Sequence, residues 1–191
     1  MRKRSTTVAL GILGAASFAL AGCRDEQVEA QAFPDLQSCQ SAVGDDTFSA
    51  ADCEAAFAEA ETLHVESAPR YENLALCEEE HGEGNCGDEQ SVAQTGSGNI
   101  FMPLLAGYLI GNMMSGRGGM SAAQPLYRSG DGRFTNAAGT SSYSSNRGAA
   151  TLNQSQFRTP PRTAGQPPMT RATLSSRGGF GATGGTRGFG G

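Results

Sequence analysis

The 191-residue chain has no tryptophan, and no two of its five cysteines are separated by the two residues that a thioredoxin-type dithiol requires. It also lacks an apolar run of roughly 20 residues, the length a helix needs to cross a bilayer. Apolar residues make up only 38% of the chain while 27 residues are glycine, so one large buried core is excluded. The two histidines, His64 and His81, belong to no spacing that marks a reaction centre. The sequence therefore names no reaction, and the expectation is a protein that is not an enzyme.

What is present begins with an address. Arg2, Lys3 and Arg4 precede an apolar stretch from Val8 to Ala19, followed by Leu20-Ala21-Gly22-Cys23. A charged head, a short apolar core and small residues at the exit make a secretory signal peptide. The leucine, two small residues and cysteine at its end form a lipoprotein processing site. Residues 1–22 are expected to be removed and Cys23 to become the acylated N-terminus, several acyl chains giving the stable tether that one cannot. An ordinary signal peptide with an incidental cysteine is the plainer alternative. Arg24 favours the outer over the inner membrane of a double-membraned bacterium, and Asp25 pulls weakly the other way. The expected location is the cell envelope, lipid-anchored and facing the periplasm, with no cofactor besides the covalent lipid.

Charge divides the mature chain. Arg24 to Gln90 holds 18 acidic residues against Arg24 and Arg70, whereas Ser91 to Gly191 holds nine arginines against Asp131. An acidic head and a basic tail fit that split. Residues 23–31 show no periodic pattern and read as a tether. Residues 32–90 read as an acidic helical domain. Asp35 can cap a short helix over Leu36 to Ser41. Ser49 with Asp52 makes a capping box, with Phe48 as a hydrophobic staple on Cys53. Cys53, Ala56, Phe57, Ala60, Leu63 and His64 then recur with helical spacing until Pro69. Glu54, Glu59, Glu61 and Glu66 fall largely off that stripe and read as a solvated face. A second helix from Leu74 to His81 has Asn73 to begin it and Gly82 to end it.

With Cys23 assigned to lipid, Cys39, Cys53, Cys77 and Cys86 remain, an even number in a small exported domain, which is the composition of a disulfide framework. Four cysteines allow three connectivities. Short loops favour Cys39–Cys53 with Cys77–Cys86, and the other two stay open. Closing a loop of about fifteen residues is worth about 3 kcal/mol in the chain-entropy model. A zinc site drawn from Cys77, His81, Cys86 and one more ligand is the competing reading. In an oxidising compartment thiols pair with each other first.

Residues 91–99 read as a linker. Residues 100–115 form the longest apolar stretch of the mature chain, without charge from Ile100 to Met114. Pro103 suits a first helical position, and Gly107 with Gly111 gives the small-x-x-x-small spacing of closely packed helices. The expectation is an apolar helix that is core, homo-oligomer interface or shallowly inserted in the membrane. Residues 116–138 read as a loop with a short hairpin around Gly130-Asp131-Gly132. Residues 139–191 are rich in Ser, Gly, Thr, Pro and Arg and are expected to be disordered. The late Arg177-Gly178-Gly179-Phe180-Gly181 and Arg187-Gly188-Phe189-Gly190-Gly191 would suggest RNA in a cytoplasmic protein. Export argues against nucleic acid and leaves an anionic envelope polymer, lipopolysaccharide, the chain's own acidic head, or no partner. The fold class expected is mainly α: a disulfide-stapled helical head, one apolar helix, a short hairpin and a disordered tail.

Several motifs in order carry a resemblance: the lipoprotein site, Tyr71, Cys77 with Gly82-Glu83-Gly84 and Cys86, Met102-Pro103-Leu104 with Ala106-Gly107-Tyr108, Gln124-Pro125-Leu126-Tyr127 and the terminal Arg-Gly-Gly-Phe-Gly. Together they resemble the YgiB/YjfM-like family of bacterial envelope proteins, whose function is unknown. The resemblance implies no catalytic residues. His81 stands where an aromatic residue is expected, which weakens a shared metal site. The function read from the chain is a non-enzymatic binding or scaffolding lipoprotein. The alternatives are a metal-binding or enzymatic factor using His64, His81 and nearby carboxylates, or an oligomerising or membrane-perturbing module built on residues 100–114.

Overall fold

Gln27–Phe33 alternates polar and apolar residues, and in the computed structural model it is strand β1, with Val28, Ala30 and Ala32 buried on one face. The structure describes residues 27–43, 48–94, 96, 98–111 and 123–177. The signal peptide, Cys23 and the terminal glycine-rich repeat lie outside them. After β1 come helices α1 (Leu36–Ser41), α2 (Ala50–Ser67) and α3 (Leu74–His81), strand β2 (Cys86–Asp88) and helix α4 (Glu89–Ala93). Strands β3 (Phe101–Pro103), β4 (Gly107–Gly111), β5 (Ala123–Arg128), β6 (Phe134–Asn136), β7 (Ser142–Tyr143) and β8 (Gly148–Asn153) follow. A 3-10 turn (Gln154–Phe157) and helix α5 (Arg171–Arg177) complete the described elements.

The expectation of a mainly helical protein is overturned. An antiparallel six-stranded sheet in the order β7-β6-β5-β4-β1-β8 curls into a half-barrel, and β2 and β3 pair separately. The helices form where capping residues start them. Ser49 Oγ accepts from Asp52 N at 3.2 Å and Asp52 Oδ2 accepts from Ser49 N at 2.9 Å. Asp35 accepts from Ser38 N and Asn73 from Leu76 N in the same way. Helix α2 then lays Cys53, Ala56 and Ala60 on Phe33, Tyr108, Ile110 and Ala123 of the sheet.

The apolar stretch 100–115 is not a helix over its described residues, 100–111. Its described part supplies β3 and β4, and β4 is buried along its whole length. Tyr108 and Ile110 face the helices, while Leu109 packs with Val28, Ala30, Leu126 and Phe157 on the opposite face. A strand covered on both faces is apolar at every position, so it lacks alternation and mimics a buried helix. The two glycines act through the sheet. A Cβ on Gly107, whose φ is +146°, would stand 2.7 Å from the Phe33 carbonyl oxygen. One on Gly111 would stand 2.8 Å from the Phe157 ring. The small-x-x-x-small helix face therefore does not exist, and Gly111 instead admits an aromatic ring against the sheet.

Two further expectations change. The supposed tether contributes β1, which pairs from Gln27↔Asn153 to Ala32↔Gly148 with β8 and from Ala30↔Gly111 to Phe33↔Tyr108 with β4. The supposed disordered tail is ordered from residue 139 to 177. Phe157 is fully buried beneath the sheet. Beyond it the chain runs back along the helices. Thr163 N and Ala164 N donate to the Glu66 carbonyl at 2.9 and 3.0 Å, Met169 N donates to that of Arg70 at 2.7 Å, and Leu174 packs on Tyr71, Leu76 and Cys77. Arg171 and Glu79 make an exposed ion pair at 2.9 Å. The hairpin around Gly130-Asp131-Gly132 is the β5–β6 connection, closed by Ser129 N donating to the Arg133 carbonyl at 2.8 Å.

Candidate functional site

Each cysteine downstream of Cys23 is in a disulfide. Cys39 of α1 joins Cys53 of α2, and Cys77 of α3 joins Cys86 of β2, the connectivity favoured by the short loops. The first bridge belongs to the core under α2 and the second to the cluster around Tyr71, Leu76 and Leu174.

The two histidines come close to each other through tyrosines. Helix α2 delivers His64 and the C-terminal end of α3 delivers His81, both from buried helix faces. His81 is fully buried, its Nδ1 2.7 Å from the Arg128 carbonyl oxygen and its Nε2 2.8 Å from the Tyr71 hydroxyl. A carbonyl only accepts, so Nδ1 carries the proton and Nε2 accepts from Tyr71. His64 Nδ1 lies 3.1 Å from the hydroxyl of Tyr127, a β5 residue whose ring also meets His81 edge-on at 6.2 Å. Burial pulls His64 down to about 4, and the Arg70 guanidinium adds to the fall. Burial likewise brings His81 down to about 4, against a smaller opposing effect of its bond to Arg128. Burial pushes the Tyr127 hydroxyl above its ordinary range. Both imidazoles are thus neutral at pH 7. The row Tyr71, His81, Tyr127, His64 ties α2 and α3 to β5.

With both His81 nitrogens engaged and Cys77 and Cys86 joined, the zinc set drawn from these residues has lost its donors. Among the described residues no group of three or more histidines, cysteines or carboxylates is placed to hold a metal ion. Glu59, expected on the solvated face, reaches the sheet and accepts from Ala123 N at 3.2 Å. Among the described residues no helix is long and apolar enough to cross a membrane.

Arg70 is a buried site that the sequence reading passed over. Its Nε donates to Glu89 Oε1 at 2.6 Å, with both side chains less than a tenth exposed. Its remaining nitrogens donate to the carbonyls of Val65 and Ala68 and to Thr163 Oγ1 at 2.7, 3.1 and 2.6 Å. One guanidinium thus joins the end of α2, the start of α4 and the returning C-terminal segment. The signal was available: apart from Arg24 it is the only cation among the acidic residues up to Gln90.

On the sheet face opposite α2, a polar cleft of about 490 Å³ opens between β5, β6 and the segment that follows β8. Gln124 of β5 lines it. Cross-strand pairing puts Leu109 opposite Gln124 and Asn136 opposite Leu126, so these residues share the Phe157 face. Asn136 shapes one wall, its Oδ1 accepting from Thr140 N at 3.0 Å and Ser141 N at 3.3 Å. Ser155, Gln156 and Arg158 to Pro161 form the other. Among the described residues the lining consists of amide and hydroxyl residues, one arginine, alanines and prolines, with no histidine, cysteine or carboxylate.

Comparison with known proteins agrees with the extent of this fold. The profile of a protein family of unknown function, DUF1190, matches residues 27–190. Two UPF0441 proteins of Klebsiella pneumoniae, one from subspecies pneumoniae and one from strain 342, are each 34% identical over 193 residues, covering 92% of this chain and 79% of the relative. No solved structure matches. Matched over all of its described residues, the chain belongs to the DUF1190 family of uncharacterised proteins.

Proposed function

We propose that this protein is a lipid-anchored, non-enzymatic binding protein of the bacterial cell envelope. The observation that carries the reading is the sorting of the cysteines. Cys23 ends a leader with a lipoprotein processing site, and all four cysteines after it are consumed in disulfides. Disulfides persist in oxidising compartments such as the periplasm, which is where such a leader would deliver the chain. The similarity to the YgiB/YjfM-like envelope proteins points the same way. Binding is favoured over catalysis because the described lining of the polar cleft offers no acid–base pair, while both imidazoles are engaged elsewhere.

The anchor is tested by Cys23→Ala. The parent protein is expected in the membrane fraction after carbonate extraction and labelled by radioactive palmitate. The variant is expected to lose the label and to keep its uncleaved leader, seen as a larger mass. An unlabelled parent, or a variant that still takes up the label, contradicts the reading.

A further inference from the structure

We propose that the cleft between β5, β6 and the segment after the 3-10 turn binds a small, singly anionic ligand rich in amide and hydroxyl groups, of the acidic acetamido-sugar class. The inference rests on the binding-protein reading and gives it a ligand.

Gln124 carries the argument. It sits in β5, inside the six-stranded sheet, and is only 2% exposed. Its cross-strand partner Leu109 and its near neighbour Leu126 both belong to the apolar layer on that face. A leucine would continue that layer without desolvating an amide, whose burial is costly wherever its hydrogen bonds are not replaced. A glutamine amide offers two N–H donors and a carbonyl oxygen. Among the described residues its side chain makes one hydrogen bond, Nε2 to the Arg158 carbonyl at 3.1 Å. A polar group is thus kept at the edge of a core, pointed to the cleft it lines, with hydrogen-bonding capacity to spare.

The rest of the lining defines what would use it. Arg158 is exposed, and among the described residues no carboxylate pairs with its guanidinium. A planar guanidinium is suited to a carboxylate. Residues 123–177, which build the cleft, hold seven arginines against Asp131, so the local field draws an anion although the whole chain is acidic. Hydroxyls of Thr140 and Ser155 and the Gln124 amide suit a ligand with its own amide and hydroxyls, and the volume lies within the usual small-molecule range of about 300–1,000 Å³. Among the described residues the lining has no second cation to hold a dianion and no aromatic ring to hold an apolar ligand.

The test is a titration of the detergent-extracted full-length chain, read by amide shifts of Asn136, Thr140 and Ser155 in nuclear magnetic resonance. The probes are N-acetylmuramic acid, N-acetylglucosamine and lactate, which separate the acidic sugar from its neutral core and from its carboxylate alone. Saturable shifts with N-acetylmuramic acid are expected, with binding weaker by about tenfold or more for each of the other two. Arg158→Met, at an exposed position, is expected to weaken binding by about tenfold while leaving the fold intact, and Gln124→Leu to do the same. No saturable shift up to about 10 mM, lactate binding as well as the sugar, or an Arg158→Met variant that binds normally each overturn the proposal. Because the titration does not use the membrane, none of these results alters the outcome of the Cys23 test.

Discussion

Between pH 7 and pH 4.5 the protein is expected to lose about 5 kcal/mol of unfolding free energy, through the two buried histidines. In the unfolded chain both titrate near 6.5, whereas in the fold both are brought down to about 4. The unfolded state therefore takes up protons first as pH falls. The stability is fully present above 6.5, is lost progressively below it, and stops falling once the folded state is protonated too, below about 4. At pH 4.5 each histidine has forfeited about 2.5 kcal/mol. Asp35, Asp52 and Asp88 act lower. Hydrogen bonds from serines hold these cap carboxylates below their usual 3.8, so their share is lost only as pH falls through and below that value. Urea unfolding at pH 7 and pH 4.5 thus isolates the histidines. His64→Gln is expected to remove about half of the difference. Equal stability at the two pH values would mean that the imidazoles are hydrated and that the Tyr71, His81, Tyr127, His64 row is not buried as described.

The second large effect is expected at Arg70. Removing one partner of a buried ion pair leaves the other uncompensated and typically costs about 3–5 kcal/mol. Arg70→Met would take the cation away from the buried Glu89 carboxylate and withdraw the donors to the Val65 and Ala68 carbonyls and Thr163 Oγ1. The double variant Arg70→Met/Glu89→Leu is expected to recover part of that loss, because no buried charge remains. Urea unfolding of the two variants reads the difference. Amide exchange at Thr163 and Ala164 is expected to quicken in both, since the guanidinium helps to hold the returning segment on α2. A cost below about 1 kcal/mol for Arg70→Met, the range of a surface ion pair, would contradict the joint.

The helices were legible because their signals are local. Asp35, the Ser49/Asp52 box and Asn73 with Gly82 lie within a few residues of the bonds they make, and the spacing of Cys53, Ala56, Ala60, Leu63 and His64 matches the buried face of α2. The hairpin at Gly130-Asp131-Gly132 was legible for the same reason. The sheet was not, because its pairings join segments far apart. Gln27 meets Asn153, and the two segments have few of the branched or aromatic residues that mark a strand, Val28 and Phe33 in one and Thr151 in the other. The alternation of Val28, Ala30 and Ala32 was the available sign, muted by two alanines that fit helices equally well. Residues 107–111 were misread because burial on both faces erased the period, leaving two glycines in helical register. The polar sites divide similarly. The four-cysteine framework follows from count and spacing, whereas Arg70 and Gln124 act only once the C-terminal segment has returned to them.

The most direct measurement of the account is the intact mass of the membrane-extracted mature protein, before and after reduction and alkylation. The expected result is cleavage before Cys23, added lipid mass on that residue, and four thiols that become reactive only on reduction, from Cys39, Cys53, Cys77 and Cys86. A chain without lipid, or one whose four thiols alkylate without reductant, would contradict a tethered, disulfide-stapled envelope protein.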